Sequence, residues 1–142
     1  TIPGFSGQGL EVYGYRRLVC TQWSHSPQTV TVDVQSRHSL APGASYILAC
    51  SPARRPGMKF PNGEWLDLDV GHPLFTTSVL GWTPSIFQNF SGTLDQNGNA
   101  TAKVVLPPGL PKMNDMAIFV AGVIYQGQNI IQVTNTHWFV LP

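Results

Sequence analysis

Thr29-Val30-Thr31-Val32-Asp33-Val34 alternates without a break: Val30, Val32 and Val34 fall on one side of an extended chain, Thr29, Thr31 and Asp33 on the other. A period of two with one apolar side is the signature of a strand that gives one face to a core and the other to water. Outward from this segment, similar stretches predict strands near residues 10–15, 17–23 and 45–51, separated by turn sequences such as Ser24-His25-Ser26-Pro27 and Pro42-Gly43. Asn62-Gly63 favours a hairpin turn between Met58-Lys59-Phe60 and Trp65-Leu66-Asp67. A second hairpin is expected to join Phe90–Leu94 to Thr101–Leu106 across Gln96-Asn97-Gly98-Asn99. A third joins Ala117–Tyr125 to Ile130–Thr134 across Gln126-Gly127-Gln128-Asn129, with a last strand from His137 to Leu141. No window carries an i, i+3, i+4, i+7 stripe. Eight or nine short strands at this spacing predict an all-β chain folded as a two-sheet antiparallel β-sandwich.

The 142 residues suit one domain. Charged residues make up only 11%, against about 25% in average soluble proteins, while hydrophobic residues reach 42% and aromatics 11%. Disordered chains combine high net charge with few aromatics, so this chain is expected to fold. A formal charge of +1 spread over scattered Lys and Arg gives no cationic patch for nucleic acid. Low charge also weakens repulsion between copies, which favours dense self-assembly. No stretch approaches the ~20 apolar residues needed for a membrane helix, so no membrane insertion is expected. The chain opens at Thr1 without an initiator Met, as expected of a mature secreted product whose signal segment was removed and equally of a chain trimmed at its start.

Cys20 and Cys50 form an even pair in apolar, strand-like surroundings. In a secreted chain such a pair is expected on neighbouring strands and joined as a disulfide, worth about 3–4 kcal/mol by loop entropy; the alternative is two buried free thiols.

Two segments point to contacts beyond a simple sandwich. Residues 1–9, Thr1-Ile2-Pro3-Gly4-Phe5-Ser6-Gly7-Gln8-Gly9, form a Gly-rich arm ahead of the sandwich domain at 10–142, with Ile2 and Phe5 as apolar anchors. Ile118-Phe119-Val120-Ala121-Gly122-Val123-Ile124-Tyr125 is apolar on both faces, so each face needs a cover. The cover of Phe119, Val123 and Tyr125 is either a loop of the same chain or a neighbouring copy. The subunit interface is therefore expected to involve Ile2, Phe5, Leu10 and Val12 on the donor side. On the acceptor side it would involve Phe119, Val123, Tyr125 and Trp138, with strand Ala117–Tyr125 or the terminal strand receiving the arm.

Several further motifs lie between Pro42 and Leu141. They are Pro42-Gly43 with Tyr46-Ile47-Leu48-Ala49, Gly92-Thr93-Leu94-Asp95 with Gly98 and Ala100-Thr101, Leu106-Pro107-Pro108-Gly109-Leu110-Pro111, and Phe119-Val120-Ala121-Gly122-Val123 with Thr134-Asn135. In these residues the chain resembles the secreted immunoglobulin-like β-sandwich domains, often C-terminal, of planctomycetes and similar environmental bacteria. The resemblance covers about two thirds of the chain and consists of turn and core residues, which bear on fold more than on activity. It implies an extracellular, non-enzymatic structural or interaction role. A copy that stands almost alone is expected to be itself the working unit, such as the repeating subunit of a fibril whose partner is another copy of itself.

Residues with chemistry are few. There is no Gly-x-Ser-x-Gly turn, and His25, His38, His72 and His137 lie far apart, without a metal-ligand partner at i+2 or i+4. Asp67 and Asp69 with His72 would put two carboxylates on one strand face, too few for calcium's six to eight oxygens. No cofactor is expected. Trp65, beside the Asn62-Gly63 turn, is the best placed of Trp23, Trp65, Trp82 and Trp138 to stack on a surface glycan, the rival to core or interface packing. Asn89-Phe90-Ser91 and Asn99-Ala100-Thr101 have the form of glycosylation sequons.

Overall fold

Alternation at Thr29–Gln35 builds a strand whose apolar side is wholly buried: Val30, Val32 and Val34 expose no more than 1% of their surface. In the computed structural model, which describes residues 17–23, 29–35, 43–81, 83–109 and 111–141, this strand is β2. It lies between β1 (Arg17–Trp23) and β8 (Asn99–Val105), and β6 (Phe87–Gln88) completes an antiparallel sheet of order β1-β2-β8-β6. The second sheet centres on β9 (Met116–Gln126), flanked on one side by β3 (Ser45–Ser51) and then β7 (Ser91–Thr93). On its other side β9 pairs first with β11 (His137–Leu141) and then, further along, with β10 (Asn129–Val133). β4 (Met58–Lys59) and β5 (Trp65–Leu66) form a separate hairpin. The expected two-sheet antiparallel sandwich is thus the fold. The arm at 1–9, the strand expected at 10–15, and Leu10 and Val12 lie outside the described residues.

The core between the sheets takes Leu18, Val30, Val32, Val34, Ala102 and Val104 from one side and Tyr46, Leu48, Ile118, Val120, Ile124 and Phe139 from the other. Residues of opposite parity on the first sheet, such as Thr31, Asp33, Thr101 and Lys103, face water, and Thr101 Oγ1 donates to Asp33 Oδ1 across the strands (3.0 Å). Leu48 pairs directly with Gly122, and its side chain lies where a Cβ on residue 122 would stand.

Both faces of β9 are apolar because both are covered by the chain itself. Ala49, Ala121, Val123 and Val133 form a second core with Leu66 and Leu68, against which Phe60, Phe75, Val79 and Phe119 pack. The excursion from Met58 to Leu80 supplies that cover. It includes helix α1 (Pro73–Leu80), which, like the short strand β6, was not foreseen in the sequence. Its ends are nonetheless marked: His72 caps the start, Nδ1 accepting from Leu74 N–H at 3.0 Å, Pro73 occupies the first turn, and Gly81 closes the helix at φ 69°. The helix substitutes for a strand along β3. There Ser78 Oγ accepts from Cys50 N–H at 2.9 Å, beyond the point where Phe90 O accepts from Leu48 N–H.

Asp95-Gln96-Asn97-Gly98 is a turn, with Asp95 Oδ1 accepting from the N–H groups of Asn97 and Asn99 and Gly98 at φ 78°. It does not close the expected hairpin. β7 pairs with β3 and β8 with β2 and β6, so the turn carries the chain from one sheet to the other. The Asn62-Gly63 and Gly127 turns do close hairpins, β4–β5 and β9–β10.

Two side chains lock the sheets along one side. Leu18 N–H donates to Asn135 Oδ1 (2.7 Å), Asn135 Nδ2 donates back to Leu18 O (3.0 Å), and Cys20 N–H donates to His137 Nδ1 (3.2 Å). The outward edge of β1 is thereby occupied at Leu18 and Cys20, and sheet edges in soluble proteins are usually blunted in some such way. The same bonds set the two sheets level: Cys20 stands beside His137, which pairs with Val120. One pole of the sandwich therefore holds Arg17, Gln35, Asn99, Ser45 and Tyr125. The opposite pole holds Trp23, Thr29, Val105, Met116 and Leu141.

Candidate functional site

At the Trp23 pole the sheets part around an apolar groove of about 270 Å³. Its walls come from five separated segments: Leu74 of α1, Ile86 and Phe87, Leu106 beyond β8, Ile118 of β9 and Leu141 of β11. Thr83 also lines it, and its Oγ1 is buried with no hydrogen-bond partner among the described residues. A hydroxyl so placed can accept from or donate to an incoming polar group, which a purely hydrocarbon guest would not supply. A second apolar groove, about 330 Å³, opens on the outer face of the β9 sheet between Met58, Phe60, Val79, Val123, Tyr125 and Ile130.

The expected interface residues divide between these surroundings. Ile2 and Phe5 lie outside the described residues. Val123 is only 6% exposed and Phe119 is partly buried, both within the chain's own second core, and Arg54 lies 6.0 Å over the Phe119 ring. Tyr125 lines the outer groove, and Trp138 exposes 51% of its surface beside His137. β9 is paired on both sides, so it has no free edge to receive a strand by backbone pairing. Of the two acceptors expected, this leaves the terminal strand β11, which among the described residues pairs with β9 alone.

Cys20 and Cys50 are free thiols, not the expected disulfide, and they stand in opposite sheets rather than on neighbouring strands. Cys50 is fully buried among core side chains and Cys20 is packed against the same core. Burial, with a smaller contribution from Asp33, pushes the Cys20 thiol up to about 12, and burial also raises Cys50. Thiolate is the reactive form. We expect the native protein to resist thiol reagents near neutral pH and to yield two reactive thiols in denaturant without reductant. An Ellman titration that finds none in denaturant would show the pair to be crosslinked. The raised values carry a sign for stability: folded thiols hold protons more tightly than unfolded ones, so this contribution is intact below about pH 9 and is lost as pH rises toward about 12.

Other singled-out groups have structural partners. Asp67 forms an exposed ion pair with Arg54 (3.6 Å), Asp69 Oδ1 accepts from Gly71 N–H, and His72 caps α1. No cluster of three or more metal-binding side chains occurs among the described residues. Asn89 is exposed, yet its Nδ2 donates to Thr101 O (2.8 Å), and Asn99 is the half-buried first residue of β8. Trp65 exposes 53% of its surface on β5, as stacking on a glycan requires. His25 and His38 fall outside the described residues, and no helix among the described residues is long and apolar enough to cross a membrane.

No protein-family model, curated protein or solved structure matches the chain.

Proposed function

We propose that the protein is a non-enzymatic structural subunit of an extracellular fibril, joined head to tail when each copy donates its N-terminal arm to the next. The observation that carries this reading is polarity. The chain enters β1 at Arg17, on one pole, while the inter-sheet groove opens at the other. A segment leaving one end and an apolar receptor at the far end are the two halves of a heterologous contact, which repeats into an open filament when its rotation does not close a ring. The low charge of the chain, 11% charged residues and a net +1, leaves little repulsion between stacked copies.

Removal of residues 1–9 is expected to leave a folded monomer that forms no filaments at concentrations where the whole chain does. Sedimentation and electron microscopy of the two proteins side by side provide the comparison, and native filaments from the truncated chain would place the contact on the sandwich faces instead. A second reading, a cell-surface module that recognises carbohydrate, is favoured by one observation, the exposure of Trp65. Dispersed particles whose tryptophan fluorescence shifts saturably with one glycan would favour it over the fibril.

A further inference from the structure

The head-to-tail reading leaves open what receives the arm, and three features of the groove at the Trp23 pole answer it. The first is size: an apolar cavity of ~150 Å³ holds one benzene, so about 270 Å³ accommodates an aromatic ring together with a branched aliphatic chain. The second is Thr83 Oγ1, buried in the wall without a partner among the described residues, which suits a guest with peptide N–H or C=O groups. The third is access from the rest of the molecule. An arm returning to its own groove would have to cover the length of β1, seven residues and ~24 Å of strand, past Leu18 and Cys20, whose outward N–H groups, with the Leu18 carbonyl, are already taken by Asn135 and His137.

The arm carries a matching plug. Ile2 and Phe5 give it one aliphatic and one aromatic residue three positions apart. From Phe5 to Arg17 the chain spans at most ~40 Å when extended, ample for a copy stacked pole to pole. We infer that this groove is the seat of a neighbouring copy's arm, with Ile2 and Phe5 as the plug and Thr83 meeting its backbone. This inference rests on the head-to-tail reading of the previous subsection.

Full-length variants separate the two claims. Phe5→Asp spoils the plug; Leu141→Glu places a carboxylate at the groove wall on the half-buried last residue of β11, and Thr77→Trp fills the same groove from α1. Thermal melting selects the variants that fold. Each is expected to raise the critical concentration for filaments by about tenfold or more, the scale of losing one buried large apolar side chain. Phe5→Asp mixed with either groove variant should give dimers that grow no further, because one partner has no plug and the other no seat. If Leu141→Glu and Thr77→Trp both polymerise like the parent while Phe5→Asp does not, the arm is needed but its seat is elsewhere, and this inference falls alone. If all three polymerise like the parent, arm donation falls with it. A monomeric parent whose arm becomes protease-sensitive only in the groove variants would mean occupation by the chain's own arm, and would likewise overturn the proposal.

Discussion

Gly122→Ala is expected to destabilise the fold by about 3 kcal/mol, the upper end of the cost of overpacking a core, seen as a fall of roughly 10 °C in Tm. The glycine is required for space. A Cβ at residue 122 would overlap Leu48 Cδ2 and stand 2.9 Å from Ile47 O. Leu48 cannot yield easily, because it pairs directly with residue 122 and is 1% exposed in the core. The carbonyl cannot yield because it belongs to β3, which pairs with β9 along its length. The backbone of Gly122 is engaged as well, its N–H donating to Thr134 Oγ1 (2.8 Å) and its carbonyl accepting from Thr134 N–H (2.8 Å). Gly71→Ala is the control. There an added Cβ meets nothing nearer than Asp69 Oδ1 at 3.7 Å, and a change within about 0.5 kcal/mol is expected. Equal losses at the two sites by denaturant titration would refute the packing of Leu48 over β9.

Asn135→Ala is expected to cost about 2–4 kcal/mol, since it removes both partners of the Leu18 backbone at once. Leu18 is fully buried, so water cannot easily replace the lost amide. Asn135→Asp separates the two bonds: a carboxylate can still accept from Leu18 N–H but turns a second acceptor toward Leu18 O, and an intermediate loss follows. Hydrogen exchange at the Leu18 amide should quicken in the alanine variant well before global unfolding, because the seam between β1 and β11 opens locally. The opened β1 edge also becomes a template for irregular pairing. Unchanged protection at Leu18 would mean that Asn135 does not hold the seam.

The contrast between these sites shows where sequence patterning carries information. Alternation in Thr29–Val34 placed β2 and its buried face, and flanking turn residues placed β1 at 17–23 and β3 at 45–51 with the observed bounds. The doubly apolar strand showed that two covers were needed, but Phe60, Leu66, Leu68 and Phe75 are distant in sequence and carry no sign that they fold over Val123. α1 escaped the search for an apolar stripe because it has none that is pronounced; His72-Pro73 and Gly81 were its legible markers. Asp95–Gly98 announced a turn, yet a turn fixes where the chain bends and not which sheet receives the next strand. The thiols likewise declared their apolar surroundings while leaving their sheets unassigned. The groove at the Trp23 pole was invisible for the same reason, since its lining from Leu74 to Leu141 converges only through the tertiary fold.

Electron microscopy of the whole chain at high concentration tests the central claim most directly. The account predicts unbranched polar filaments in which successive sandwiches stack with the Arg17 pole of one against the Trp23 pole of the next. Dispersed single sandwiches at high concentration, or filaments joined through their sheet faces with both poles free, would contradict it.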